Sequence, residues 1–507
     1  MSTHIYDLVI VGGGINGCGI ARDAAGRGLN VLLVEQDDLA SATSSWSSKL
    51  IHGGLRYLEQ YEFRLVRESL QEREVLLKIA PHIIEPLEFI LPHEGSMRPA
   101  WLLRLGLFLY DHIGGKTSLP GSRGVTFPDR QYSAGLKPSL RRGFLYSDAR
   151  VDDSRLTVLN ALSAREHGAE VRTRTRVTAG KRAAGLWQIE LCNVDSSEVD
   201  TVSARGVVNA AGPWVKSFLD DSVHVPIRAT VKLVKGSHIV VPRVHDGQHA
   251  YILQNDDKRV AFIIPFEEKF SLIGTTDVNV ASVDKGHQIS QEEITYLLRA
   301  ANRFLAKPLR EADVVWTYTG VRPLYDDGAA NPSEITRDYV LKTDHQHGKL
   351  PLLSIFGGKI TTYRRLAEHA LDELRPYYPQ LSGSWTAGEA LPGGDMDSMR
   401  DTVSDMLKKH ASLPIDYLTS LVRRHGSLTG KVLKGVRSMA DLGELFGAGA
   451  ALLCEREIDY CIREEWARMP DDILWRRTKC GLHMDAAEQA RAAEFIQSRV
   501  AILRKST

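Results

Sequence analysis

A glycine-rich turn near the start of the chain is the first group of residues whose spacing suits chemistry. The segment Gly12–Gly17 follows a short apolar run, and Gly12, Gly14 and Gly17 have the GxGxxG spacing. The first glycine allows a tight turn, the second lets the backbone approach a pyrophosphate, and the third lets a helix lie close to a strand. Glu35 ends the next apolar run, where an acidic residue would bind ribose hydroxyls. This order of strand, turn, helix and strand predicts a βαβ unit that binds a dinucleotide at a helix N-terminus.

A second group follows this acidic residue and combines small hydroxyl residues with basic ones. Residues 38–48 are rich in Ser, Thr and Ala, and residues 49–57 place Lys49, His52 and Arg56 around a glycine pair. Small residues suit a backbone wrapped closely around a cofactor, and a flexible linker is the alternative. The three basic side chains favour a functional segment, but the spacing does not decide which dinucleotide is bound.

The rest of the pattern predicts the elements that position these groups. Residues 183–210 and 228–276 have the pattern of strands, and residues 290–305 have that of a helix. Residues 352–372 repeat the strand, glycine turn and helix of the N-terminus. Beyond a Pro-Gly-Gly at 392–394, Leu, Ala, Arg, Glu and Asp recur at helical spacing, which indicates a domain boundary.

Composition excludes several other classes of protein. Of the 507 residues 43% are apolar and 25% are charged, as in an ordinary soluble globular protein. Lys plus Arg number 64 against 63 Asp plus Glu, so no overall field attracts nucleic acid, and we expect no nucleic-acid partner. The five cysteines are scattered without zinc or redox spacing, which predicts reduced thiols, a cytoplasmic protein and no metal site. No apolar run approaches the ~18 residues of a transmembrane helix.

Seven segments carry a more specific signal. They are GGGINGCGIARDAAGRG, ATSSWSSKLIHGGLRYLE, NAAGPW, KGSHIVVPR, IGTTD, TGVRPL and FGGKITTYRRLAEHALD. They occur in the same order in the FAD-dependent, membrane-associated glycerol-3-phosphate dehydrogenases, which the chain resembles from residue 8 to 372 and again in its C-terminal helical region. D-amino-acid oxidase and glycine oxidase, of the wider superfamily, share only the first and last of these segments.

The resemblance implies an α/β fold with three parts. A Rossmann-like FAD-binding domain would be discontinuous and comprise residues 1–80, 150–215 and 320–390. A substrate-binding cap domain with a mixed antiparallel β-sheet, like that of D-amino-acid oxidase, would comprise residues 81–149 and 216–319. Residues 391–507 would form a C-terminal helical domain.

The resemblance also assigns residues to FAD, which we expect to be noncovalent because no attachment motif is present. Glycines at both ends would approach the cofactor, and the second glycine pair would aim N–H groups at the ring carbonyl, although an ordinary loop-to-helix turn is the alternative. The expected cofactor residues are Gly12, Gly14, Ile15, Asn16, Gly17, Glu35, Gln36, Thr43, Ser44, Ser48, Lys49, Leu50, His52, Gly53, Gly54, Ala211, Gly212, Trp214, Gly357, Gly358, Lys359, Ile360 and Thr361.

The implied substrate is glycerol 3-phosphate, whose phosphate dianion calls for guanidinium donors. Arg56 and Arg322 are the candidates, and Tyr57, Thr276 and Lys359 could complete the pocket. Surface ion pairs are the alternative for each arginine.

Oxidation of the alcohol also needs a group that takes the hydroxyl proton or stabilises the alkoxide. His238 and His52 are the histidines of the matched segments, and Lys359 and Arg322 are the other candidates. His238 could instead be an ordinary core histidine, and His52 could only lie beside the cofactor. The base therefore stays open.

Two features bear on membrane attachment. Residues 99–113 are apolar and aromatic, too short to span a bilayer, and fit either an interfacial helix or a buried helix. Basic clusters at 423–425, 431–437 and 476–479 fit either an anionic lipid surface or a solvated helix face. The resemblance favours peripheral attachment to the inner face of the cytoplasmic membrane, with a membrane quinone as electron acceptor, and a possible homodimer.

The predicted function is therefore oxidation of sn-glycerol 3-phosphate to dihydroxyacetone phosphate by hydride transfer to FAD, with electrons passed to quinone. A glycerol-3-phosphate oxidase that uses oxygen is one alternative. A flavin- or nucleotide-binding module without turnover is another.

Overall fold

The βαβ unit at the start of the chain forms the centre of the first of two large sheets. A computed structural model describes residues 4–94, 99–127, 130–227, 229–257, 259–326 and 338–504, with only the backbone of Arg56, Glu59, Gln60 and Arg130. The first sheet runs in the order β7-β2-β1-β10-β18-β17, with β9 and β8 added beside β10. Its strands are β1 (Ile5–Val11), β2 (Val31–Val34), β7 (Glu170–Arg172), β8 (Thr175–Ala183), β9 (Leu186–Asn193), β10 (Val199–Asn209), β17 (Val340–Gln346) and β18 (Lys349–Phe356).

Helices cover one face of this sheet and a hairpin covers the other. α1 (Ile15–Gly26) lies between α5 (Asp153–Glu166) and α8 (Tyr363–Leu374), and their apolar residues form one core with β1 and β2. Trp187 of the β8–β9 hairpin and Phe218, which follows the short α6 (Val215–Ser217), pack on the opposite face. Both faces are buried, which explains why β2 reads as a continuous apolar run.

The second sheet is mixed and largely antiparallel. Its strands follow the order β15-β11-β14-β13-β12-β4-β6-β3, with β16 paired to β11 and β5 to β6. They are β3 (Leu50–Ile51), β4 (Ile84–His93), β5 (Arg123–Thr126), β6 (Arg142–Val151), β11 (Val231–Pro242), β12 (Ala250–Gln254), β13 (Val260–Phe266), β14 (Phe270–Gly274), β15 (Val278–Val280) and β16 (Trp316–Tyr325). The helices beside them are α2 (Phe63–Ile79), α3 (Ala100–Ile113), α4 (Arg130–Ser133) and α7 (Gln291–Asn302).

β16 crosses the predicted division between residues 319 and 320. It pairs with β11 along its whole length, from Trp316 opposite Val240 to Tyr325 opposite Val231. Because its hydrogen bonds are continuous, this strand brings residues 320–325 into the second sheet. The other domain limits stay predictions.

The C-terminal region is mainly helical, with two apolar cores of its own. Its helices are α9 (Met399–Lys409), α10 (Ile415–His425), α11 (Thr429–Val432), α12 (Glu455–Glu464) and α13 (Ala486–Arg504), and a short hairpin is formed by β19 (Leu445–Phe446) and β20 (Leu453–Cys454). In the part of the chain that the structure describes, no helix has the length and apolar character needed to cross a membrane.

Candidate functional site

The first glycine turn leaves no room for side chains. A Cβ on Gly12, whose φ is 111°, would lie 2.5 Å from the Ala210 oxygen, and a Cβ on Gly17 would lie 1.9 Å from the Gly12 oxygen. The two glycines therefore let α1 and the end of β10 close around the turn. At the start of α1, the Ile15 N–H donates to the Ser44 hydroxyl oxygen at 2.9 Å. This helix N-terminus can receive a pyrophosphate.

Glu35 lies directly beside the same turn. Its carboxylate accepts hydrogen bonds from the Gly13 N–H at 2.6 Å and from the Asp37 N–H at 2.8 Å. Burial raises the pKa of Glu35 to about 7, although both backbone donors lower it. A carboxylate held at the end of β2 can accept the hydroxyl protons of a ribose.

The second glycine turn meets the first at Asn16. The Asn16 side-chain amide donates to the Gly357 oxygen at 3.1 Å, and a Cβ on Gly358 would lie 2.8 Å from the same amide nitrogen. The Asn16 Oδ1 is buried and has no hydrogen-bond partner within the described ranges. An acceptor in that position fits a bound group that brings a hydroxyl or N–H, as a dinucleotide does.

His238 lies in the second sheet between Gly274 and Tyr318, its register partners on β14 and β16. Its ring stacks on Tyr318 with centroids 4.7 Å apart, and a Cβ on Gly274 would lie 2.1 Å from the ring. Its Nε2 shares a 2.9 Å hydrogen bond with the Ser48 hydroxyl. The imidazole is thus fixed against the loop that follows Glu35.

Arg322 extends from β16 beside this histidine. Its guanidinium donates to Asp277 at 2.7 Å and to the Thr276 carbonyl at 3.1 Å. The Thr276 hydroxyl donates to Glu293 at 2.8 Å and accepts the Ser237 N–H at 3.0 Å. Thr276, predicted to bind substrate, therefore uses both its hydroxyl and its carbonyl in the framework that holds Arg322.

Lys359, Tyr57 and His52 form the neighbouring part of the site. The Lys359 ammonium lies 3.8 Å from the centroid of the Tyr57 ring. Burial and the Lys359 charge lower the pKa of His52 to about 4, so its imidazole is neutral at pH 7. The His52 ring lies 6.4 Å from that of Phe262, which is the register partner of Gly274 on β13. The two groups of predicted residues therefore share one end of the second sheet.

Comparisons with known proteins agree with this geometry. The family model for FAD dependent oxidoreductases matches residues 7–364, and that for the C-terminal domain of alpha-glycerophosphate oxidase matches residues 384–501. The aerobic glycerol-3-phosphate dehydrogenase of Escherichia coli (strain K12) is 52% identical over 97% of each chain. The D-erythritol 1-phosphate dehydrogenase of Brucella abortus is 48% identical over 97% of this chain and 98% of its own. The FAD complex of a glycerol-3-phosphate dehydrogenase from Bacillus halodurans has a TM-score of 0.74 and 25% identity, covering 99% of this chain and 95% of its own.

The chain belongs to the FAD-dependent glycerol-3-phosphate dehydrogenase family. It is an oxidoreductase, and its cofactor is FAD. The predicted fold class is confirmed: a FAD-binding α/β part, a mixed-sheet part and a C-terminal helical domain.

Several other predicted cofactor residues make hydrogen bonds that join neighbouring elements. The Thr43 hydroxyl donates to the Val321 oxygen at 2.6 Å, and the Lys49 ammonium donates to Asp153 at 2.8 Å. The Gly53 N–H donates to the Tyr110 hydroxyl at 2.8 Å. The rest occupy the loop after β2, β3 and the segment after it, the 3₁₀ turn after β10, and the turn before α8: Gln36, Leu50, Gly54, Ala211, Gly212, Trp214, Ile360 and Thr361. Their roles toward FAD stay predictions, and the side chain of Arg56 lies outside the described residues.

The sequence analysis missed the residues that contact the predicted site residues and fix their positions. Gly274 and Asp277 both lie in the IGTTD region, so the sequence contained a signal for them. Tyr318 precedes the TGVRPL segment by one residue, and its contact with His238 depends on strand register. Glu293 carried only the signal of a helix capping box with Ser290.

The membrane-related predictions have mixed outcomes. The buried alternative for residues 99–113 is wrong, since α3 buries Leu107 and Tyr110 but leaves Trp101 and Phe108 69% and 52% exposed. Most side chains of two basic clusters face carboxylates instead of headgroups, because acidic residues distant in sequence neutralise them. Arg423 binds Glu268, Arg424 and His425 bind Glu457, Arg477 binds Asp38, Arg476 binds Asp38 and Asp472, and Lys479 binds Asp152, whereas Lys431, Lys434 and Arg437 of the third cluster are exposed.

Proposed function

We propose that this enzyme oxidises the secondary alcohol of sn-glycerol 3-phosphate to the ketone of dihydroxyacetone phosphate. Two contacts of β16 support the proposal: the Arg322 charge lies near enough to His238 to lower its pKa, and a Cβ on Gly357 would lie 3.7 Å from the Pro323 oxygen, which places the segment of Lys359 beside that of Arg322. Two cations and a neutral imidazole suit a substrate that has a phosphate dianion and a hydroxyl to be deprotonated. The kinship with glycerol-3-phosphate dehydrogenases supports the same substrate.

In this proposal Arg322 and Lys359 bind the phosphate. The Arg322 guanidinium is held by Asp277 and the Thr276 carbonyl, so its orientation is set before substrate arrives. Lys359 contributes a second charge, and the Tyr57 ring beside it limits where its ammonium can lie. Arg56, one residue before Tyr57, is proposed as a further phosphate donor.

His238 is the base in this proposal. Bound FAD supplies the acceptor for the hydride that leaves the carbinol carbon. His238 accepts the hydroxyl proton while the carbon–oxygen double bond forms, because a neutral imidazole has a lone pair available. His52, which is also neutral, lies near Lys359 and is not assigned a proton transfer.

Anaerobic visible absorption of the purified protein tests the substrate. Glycerol 3-phosphate is expected to bleach the flavin band, and a soluble quinone to restore it. D-erythritol 1-phosphate is the comparison substrate, because a relative with 48% identity is named for it. A higher kcat/KM with the four-carbon phosphate would overturn the proposed substrate, and a flavoprotein that neither compound bleaches would favour a binding module.

We further propose that the electrons pass to a membrane quinone. An apolar surface formed by α3 and the neighbouring start of α2 supports this: Tyr61, Phe63, Trp101, Leu102, Leu105, Phe108 and Leu109 are each at least 41% exposed. The 3₁₀ segment Leu55–Gln60 joins this surface to the site, since Tyr57 contacts Lys359 and Tyr61 is 79% exposed. Stoichiometric peroxide formed from oxygen without quinone would favour the oxidase instead. Attachment to the inner membrane face and a homodimer stay predictions.

A further inference from the structure

Asp38 is a buried carboxylate that the proposed reaction does not use. It lies three residues beyond Glu35 and is 1% exposed. Arg477 binds both of its oxygens, at 2.6 and 2.8 Å, and the Arg476 Nε binds it at 2.7 Å. Both arginines belong to the C-terminal region, more than 430 residues away in sequence. Charge-assisted hydrogen bonds from two guanidinium groups hold a buried carboxylate in one position.

The loop that contains Asp38 returns directly to the first glycine turn. The Ala40 N–H donates to the Gly13 oxygen at 3.1 Å, and a Cβ on Gly13 would lie 2.9 Å from the Leu39 side chain. Ala40 has φ of 60°, a left-handed conformation that residues with a Cβ rarely adopt. Such a conformation persists only where its surroundings impose it. The fixed position of Asp38 is one such constraint.

A second contact holds the same loop from its other side. Asp472 of the C-terminal region binds the Arg174 side chain at 3.2 Å. The backbone N–H of Arg174 donates to the backbone oxygen of Asp37 at 3.0 Å. Asp472 also pairs with Arg476. The three arginines of this group, Arg174, Arg476 and Arg477, face three carboxylates, those of Asp37, Asp38 and Asp472, so the group carries no net charge. Their effect on an anionic cofactor must therefore come from position and not from attraction.

We propose that the C-terminal helical domain clamps the FAD-binding loop, residues 35–44, through Arg477 and Arg476. The clamp keeps Ala40 and Gly13 in the conformation that receives the FAD pyrophosphate. Arg477 is a positioning residue in this scheme, since it acts through Asp38. This gives the C-terminal domain a role in retaining the cofactor, independent of which alcohol is oxidised or which acceptor is used.

FAD release from the diluted holoenzyme, followed by the rise in flavin fluorescence, tests the clamp. Arg477→Met is expected to speed release at least about tenfold, equivalent to ~1.4 kcal/mol. Arg424→Met is the matched control, because Arg424 is also buried but pairs with Glu457 inside the C-terminal region. It is expected to lower the Tm to a similar extent and to leave FAD release unchanged.

A double variant separates the clamp from general stability. Asp38→Asn with Arg477→Met leaves no unpaired buried charge, so the Tm is expected to recover while FAD release stays fast. Release at the wild-type rate in Arg477→Met, or recovery of both properties in the double variant, would overturn the proposal. If Arg477→Met does not fold, Arg477→Lys decides: faster release at an unchanged Tm supports the clamp, and wild-type release contradicts it.

Discussion

At His238, burial and the charges of Lys49 and Arg322 lower the imidazole pKa to about 3. A folded-state pKa below the ordinary value of ~6.5 means that the ring stays neutral until the pH falls toward 3. The ring therefore keeps its neutral form, which has a free lone pair, across the neutral range. A decline of kcat/KM near pH 6 would then belong to another group, such as the substrate phosphate, whose second pKa is about 6.

We predict that His238→Asn lowers kcat by roughly 10²–10⁴-fold, the usual contribution of a general base. The asparagine amide can still bind Ser48 but cannot take up a proton. The decline of kcat/KM on the acid side should stay at the same pH in the variant, because it arises from the substrate. Stopped-flow reduction of the flavin across pH 5–9 measures both quantities.

His52→Asn is the comparison variant, since His52 is also neutral at pH 7. It is expected to change the rate less, because no described contact connects it with Ser48. A His238→Asn enzyme with the wild-type rate would assign the base elsewhere, and a large loss in His52→Asn alone would assign it to His52.

The sequence indicated the candidate site residues more readily than the residues that contact them in the folded protein. His238, Arg322 and Lys359 stand in recognisable segments, but each is held by a residue on another strand or loop. The contact of His238 with Tyr318 depends on register between β11 and β16, which no local pattern specifies. The directions of the pKa shifts depend on these contacts, so they could not be predicted from the sequence either.

Among the elements, α7 supports the site from behind the second sheet. Glu293 in its first turn binds Ser237 and Thr276 through one oxygen, each at 2.8 Å, and Lys235 through the other at 2.6 Å. The Thr276 carbonyl in turn accepts a hydrogen bond from the Arg322 guanidinium. The helix therefore ties β11 to the segment after β14, which orients Arg322, the proposed phosphate-binding residue.

We predict that Glu293→Gln raises the KM for glycerol 3-phosphate about tenfold and changes kcat much less. The amide leaves the buried Lys235 without its counter-charge, so the Thr276 segment shifts and Arg322 loses its orientation. Steady-state kinetics give the two constants, and the flavin spectrum reports an intact cofactor site. Glu292→Gln, on the exposed face of the same turn, is the control; equal effects in both variants would exclude this role.

Elements near a glycine turn were predictable, whereas burial and ion pairing were not. The turns at 12–17 and 357–358 and their helices follow from local backbone requirements, and both appear where the pattern places them. α3 is apolar on nearly all sides, a composition that usually indicates a buried helix, yet one face is exposed. The cluster at 476–479 fitted either a lipid surface or a solvated helix face, because its carboxylate partners are distant in sequence.

On the scale of the whole molecule, the apolar surface and the site lie at the two ends of one short segment. Trp101, Leu105 and Phe108 of α3 face away from the core, into which Leu107 and Tyr110 point. Exposed apolar patches of this kind mark contacts with membranes or other proteins. The adjoining segment Leu55–Gln60 brings Tyr57 to Lys359. An acceptor dissolved in a bilayer could therefore approach the site from this side.

We predict that Trp101→Ser with Phe108→Ser weakens binding to vesicles that contain anionic lipid by at least about tenfold. Each aromatic side chain contributes roughly 1.5–3 kcal/mol when it leaves water. Turnover with a soluble acceptor should be unchanged, because neither side chain supports the fold, whereas turnover with a quinone embedded in the vesicles should fall.

Ile415→Ser with Ile502→Ser is the control, since these residues are 56% and 52% exposed on the C-terminal helices. Co-sedimentation measures binding, and salt dependence separates the apolar contribution from the lysines and arginines still exposed around 431–437. Equal losses in both double variants would show that the α3 surface has no special part in attachment, and quinone turnover that survives the loss of vesicle binding would place the acceptor elsewhere.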